Sequence, residues 1–153
     1  MNGIIEVFLL SLVPTFEGRY AIVYGIGRGY HLWETLLTAA LGVLLLSIAL
    51  PAILPYIDSV MLWLENTPLK KLARLYLYYV ERVRKKARPY VEKWGFLGLT
   101  VFVAIPLPGT GIWTGSLAAY LLGIGKKQTV PALVLGGLLS MAITVLPALG
   151  LFG

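Results

Sequence analysis

The chain has 153 residues, 58% of them hydrophobic and 13% charged, with a mean hydropathy of +0.82. A soluble domain carries about 25% charged residues, so this chain lacks the polar surface to cover a water-soluble globule and reads as an integral membrane protein. The net charge is +6 and there is no cysteine, which excludes disulfides, thiolate metal sites and thiol redox chemistry.

The first apolar region, residues 3–27, opens without a basic stretch or a small-residue cleavage site, so it is not read as a signal peptide. Pro14 and the cluster Glu17-Gly18-Arg19 interrupt it near the middle. Each arm is about 15–20 Å long as a helix, half of the ~30 Å hydrocarbon thickness. The pattern predicts a re-entrant helical hairpin with Pro14 at its tip. Residues 32–57 are long enough to span, with Pro51 and Pro55 expected to end or kink that helix.

The connector, residues 58–95, holds nine of the thirteen Lys and Arg, from Lys70 to Lys93. Thr67 is expected to cap a helix started by Pro68, and Pro89 to disfavour helix at the residue before it. Leu69, Leu72, Tyr76, Val80 and Val83 recur at helical spacing, with most cations off that face. Such a basic amphipathic helix lies on an anionic membrane surface or pairs with a copy of itself. Aromatic residues interleave with the basic run, but beside membrane spans the sequence is read as making no nucleic-acid contact.

Residues 96–125 repeat the first pattern. Pro106, Pro108, Gly109 and Gly111 break an otherwise apolar stretch, predicting a second re-entrant hairpin. Residues 129–152 then span, with Pro147 near the end. A shift of 94 positions aligns Pro14 with Pro108, Leu41-Gly42 with Leu135-Gly136, and Leu44-Leu45 with Leu138-Leu139. The chain is therefore read as one all-α membrane domain: repeat one 3–57, a basic connector 58–95 and repeat two 96–153. Each repeat crosses once, so the copies are expected to be inverted, as in many secondary transporters. The positive-inside rule places 58–95 in the cytoplasm of a multi-pass plasma-membrane protein.

Ionisable groups at membrane depth face a cavity or a partner. Glu17 is the candidate proton carrier, and Arg19 offers a planar fork for an anionic group. The alternative is that the tip reaches the headgroups and the two form a structural pair. Glu6 reads as interfacial or as a second proton carrier. Thr110, Trp113 and Thr114 open the second half-helix, whose free amides favour an anion; the alternative there is a tight turn capped by Thr110. The sole histidine, His31, and the sole aspartate, Asp58, leave no metal cluster, aspartyl dyad or nucleophile–base arrangement, so neither an enzyme nor a cofactor is expected.

The stretch from Gly98 to Gly115, with Ile105-Pro106-Leu107-Pro108-Gly109-Thr110-Gly111 at its centre, resembles the signature of the small multidrug-export protein family. Pro14-Thr15-Phe16-Glu17-Gly18-Arg19 resembles that family's first motif. The resemblance implies a membrane exporter. The paired hairpins are also similar to the DedA-like proteins, whose second hairpin carries an arginine that Gly109-Thr110-Gly111 lacks. The leading expectation is a secondary transporter, a homo-oligomer among membrane lipids, taking a small anionic solute or lipid phosphate. A lipid-phosphate flippase and a non-transporting scaffold built on the basic helix are the alternatives.

Overall fold

A computed structural model describes residues 2–107 and 109–152. Among these residues seven helices run in order: α1 (Gly3–Leu12), α2 (Glu17–Gly27), α3 (Leu32–Leu64), α4 (Lys70–Trp94), α5 (Phe96–Ala104), α6 (Ile112–Leu121) and α7 (Lys126–Phe152). No strand occurs among the described residues.

Among the described residues, only α3 and α7 are long and apolar enough to cross a membrane. Leu37, Leu41, Leu45 and Ile48 leave one flank of α3 exposed and apolar, and Leu135, Leu139 and Leu146 do the same on α7. Continuous apolar surface of this kind is suited to lipid. Pro51 and Pro55 do not end α3, which continues to Leu64. Prolines are tolerated in membrane helices because neighbouring groups satisfy the freed backbone.

The four short helices, α1, α2, α5 and α6, have 9 to 11 residues each. At about 1.5 Å per residue they reach roughly half the hydrocarbon depth. α1 and α2 fold back on one another, as the contact of Val7 with Gly25 near their far ends shows. The Glu6 carboxylate accepts from the Tyr24 and Tyr30 hydroxyls at 2.7 and 2.9 Å and closes the same end. α1 packs on α3 as α5 packs on α7, and both α2 and α6 touch both long helices.

The connector differs from its sequence-based outline. α4 starts at Lys70 and passes through Pro89 to Trp94. Thr67 does not cap it; its hydroxyl donates to the Leu64 carbonyl at 2.7 Å and accepts from the Leu69 amide at 3.2 Å, forming the turn between α3 and α4. The buried stripe is Ala73, Val80, Val83, Ala87 and Val91, while Leu69 and Leu72 are exposed. α4 packs against α5 and α6. The Tyr90 and Phe102 rings meet with centroids 5.7 Å apart, and the Tyr79 and Thr114 hydroxyls are 3.2 Å apart.

Candidate functional site

The start of α2, just after the first break (residues 13–16), bonds both sides of the second break (residues 105–107 and 109–111). Thr15 and Glu17 both have left-handed backbone, φ +78° and +50°. Such conformations cost about 1–3 kcal/mol each in a side-chain-bearing residue and cluster at functional sites. Glu17 is 4% exposed, and its carboxylate accepts from the Ile112 amide at 2.9 Å and the Trp113 amide at 3.1 Å. These are the first two amides of α6, which have no partner within their own helix. The anion favoured at this helix start is thus supplied by the chain itself. A Cβ on Gly111 would lie 2.3 Å from Glu17 Oε2, so only glycine lets the carboxylate approach.

Arg19 is 2% exposed and reaches the other side of the second break. Its Nη1 donates to the Ile105 carbonyl at 3.0 Å and, at 3.4 Å, to the Thr110 hydroxyl. Thr110 Oγ1 is also 2.7 Å from the Leu107 carbonyl, so this side chain ties the turn to itself and to Arg19. The Tyr20 hydroxyl adds a bond to the Pro106 carbonyl at 3.3 Å, and the Arg19 guanidinium lies 5.1 Å from the Tyr20 ring centre. Glu17 and Arg19 do not pair with each other; each bonds the second break. Two charge-assisted hydrogen bonds are worth about 1.5–3 kcal/mol apiece, while burying an ion costs several kcal/mol. The tie is therefore close to balance.

A family model described as Putative small multi-drug export protein matches residues 17–143. The chain belongs to this small multi-drug export family. No curated protein and no solved structure matches it. The family match begins at Glu17 and takes in Glu17, Arg19, Tyr20 and the second break, while α1 and residues 13–16 lie outside it.

Not all the residues singled out from the sequence of this export-family member converge. Glu17, Arg19, Thr110, Gly111 and the Trp113 amide meet. The Trp113 indole turns to the first break, donating to the Leu12 carbonyl at 3.1 Å, and Thr114 faces Tyr79. Pro14 and Gly109 are exposed and Pro106 is half-buried. Pro108 lies outside the described residues. The structure adds groups that the sequence reading passed over. Asp58 accepts from the Tyr76 hydroxyl at 2.8 Å and the Tyr120 hydroxyl at 3.1 Å, joining α3, α4 and α6. Those tyrosines lie 18 and 62 positions from Asp58, so no local pattern announces the cluster. Beside Tyr20, a groove of about 420 Å³ is lined by Thr15, Phe16, Tyr20, Val23 and Tyr24. Its lining is almost wholly apolar, and its volume falls in the range of small-molecule sites.

Proposed function

We propose that this protein is a proton-coupled secondary transporter that exports small molecules, and that the Glu17–α6 contact is its closed state. The observation that carries the reading is a buried carboxylate held by two helix-start amides inside a family named for export. Helix N-termini at a broken segment are where transporters place anionic groups. Here Glu17 occupies that position and the packing around it leaves no water-sized volume, so the breaks are sealed against each other.

In this reading α1–α2 and α5–α6 are re-entrant hairpins of two inverted repeats, entering from opposite sides. The matched packing of α1 on α3 and α5 on α7 supports it. The cations of α4 and Lys126-Lys127 support a cytoplasmic position for residues 58–95 at the plasma membrane. A proton taken up by Glu17 removes the charge that holds the α6 amides. With those bonds weakened, Arg19, Thr110 and the Trp113 amide become available to substrate. The apolar groove beside Tyr20 receives the rest of the molecule, and Thr114 anchors α4. Copies assemble as a homo-oligomer in the bilayer.

The test is transport in proteoliposomes that contain pyranine to report internal pH, with ethidium and carboxyfluorescein as cationic and anionic probes. Wild type is expected to move at least one probe faster under an imposed proton gradient, and Glu17→Gln to lose that acceleration. Gradient-dependent transport undiminished in Glu17→Gln would sink proton coupling at this residue, and no probe movement by folded wild type would count against export.

A further inference from the structure

Two buried side-chain atoms near this tie have no hydrogen-bond partner: Arg19 Nε and Ser140 Oγ. Both residues are 2% exposed, and both line the same tight space as the Glu17 side chain. Buried polar atoms are almost always partnered, and an unpartnered one carries a desolvation cost with no return. Two orphans beside one carboxylate therefore call for a second arrangement in which they are satisfied.

One group meets both needs. A protonated carboxyl has a carbonyl oxygen that accepts from Arg19 Nε–H and an O–H that donates to Ser140 Oγ. The carboxylate in the present arrangement cannot donate; it accepts from the Ile112 and Trp113 amides, and its remaining lone pairs take no bond from Arg19 Nε or Ser140 Oγ there. The charged groups lining the space are Glu17 and Arg19, both from the first break and α2. α3 contributes Val43, α5 Val103, α6 Ile112 and α7 Ser140. No other titratable side chain among the described residues lines it.

We infer that Ser140 is the third residue of the coupling site, the hydrogen-bond acceptor that holds Glu17 once it carries a proton. This rests on the proton-carrier reading of Glu17. On protonation the two N–H···O⁻ bonds to α6 break, the proton stays on the carboxyl, and the new O–H bonds Ser140 Oγ. Ser140 is a positioning residue: it acts on Glu17 and needs no contact with substrate.

Infrared difference spectra of the full-length protein in lipid, recorded between high and low pH, test this. Wild type is expected to show a carboxylic C=O band that Glu17→Gln removes. Ser140→Ala is expected to move that band toward the position of a free carboxylic acid. Ser140→Ala should also slow proton-driven probe transport about fivefold, the factor of one hydrogen bond, with a thermal midpoint no lower than wild type. A Glu17 band unmoved by Ser140→Ala would overturn the role of Ser140 and leave Glu17 as proton carrier. A band missing from wild type, or surviving Glu17→Gln, would overturn both.

Discussion

The two breaks contribute opposite halves of the same contact. The first supplies side chains: Glu17, Arg19 and Tyr20 all reach out from it. The second answers mostly with main chain, offering the Ile105 and Pro106 carbonyls and the Ile112 and Trp113 amides, with the Thr110 hydroxyl as a side-chain acceptor. The Trp113 indole on the Leu12 carbonyl runs the other way. The division explains the compositions. The first break carries the charge and strained residues, while the second needs proline and glycine to present bare backbone. Changes in the first should act through chemistry, and changes in the second through shape.

The largest test of that division is Gly111→Ala. An added methyl would overlap Glu17 Oε2 and push the carboxylate off α6 while leaving it buried. Removing the partners of a buried charge costs about 3–5 kcal/mol, so thermal unfolding in detergent should show a loss of that order. Gly109→Ala is the control within the same turn. Gly109 is exposed with φ +81°, so alanine there pays the left-handed penalty of about 1–2 kcal/mol and asks only the flexible end of Lys86, 3.1 Å from the added Cβ, to shift. Equal losses at the two positions would mean that the second break is sensitive to strain alone and not to the carboxylate.

Next in size is Thr110→Val, which keeps the shape and removes the hydroxyl. It leaves Arg19 with one acceptor fewer and removes the hydroxyl donor from the Leu107 carbonyl, which keeps the Thr110 amide. A loss of about 1–2 kcal/mol is expected. Combining it with Arg19→Lys in a double-mutant cycle should give less than the sum of the two, because the side chains share one bond. Strict additivity would separate Thr110 from the charge of the first break.

How far the sequence disclosed this contact depends on what carried the signal. Proline and glycine announce a broken helix locally, so both breaks and the half-depth helices beside them were visible. Their union was not. A carboxylate at position 17 and an amide-rich helix start at 112 each looked like half of a ligand site. Only tertiary structure shows that one is the ligand of the other. The face of α4 was read only in part: Val80 and Val83 lie on the buried side, but Leu69 and Leu72 are exposed and Ala73 and Ala87 complete the buried stripe. Ser140 carried no signal at all, since a lone serine among leucines gives no period and no motif.

The Asp58 cluster lies away from both breaks and should behave as a simple fastening. Tyr76→Phe removes one hydroxyl bond and is expected to cost about 1 kcal/mol. Burial first, and then the bond to Asp58, hold the Tyr76 phenol well above the ordinary range. A raised folded value means that its contribution is complete below the ordinary phenol pKa and is lost only as pH rises through the folded one. The cost of Tyr76→Phe should accordingly be the same at neutral and mildly alkaline pH. In ultraviolet titration of the phenolates, the substitution should delete a late-ionising tyrosine. A cost that fades before the other tyrosines ionise would contradict this.

Thr15→Gly is the smallest change and tests the first break on the property that sets it apart. Thr15 is β-branched, exposed and left-handed at φ +78°, and none of the contacts between the two breaks uses its side chain. Glycine relieves a strain of about 1–2 kcal/mol but frees the unfolded chain by about 0.4–1 kcal/mol. A net gain of about 0.5–1 kcal/mol is expected from these two opposing effects. If the strain serves only to aim Glu17, stability should rise while probe transport slows, because a looser turn no longer fixes where the carboxylate points. A gain in stability with unchanged transport would place the aiming in Glu17's own backbone at φ +50°. The first break would then be reduced to one functional residue conformation against the second break's several.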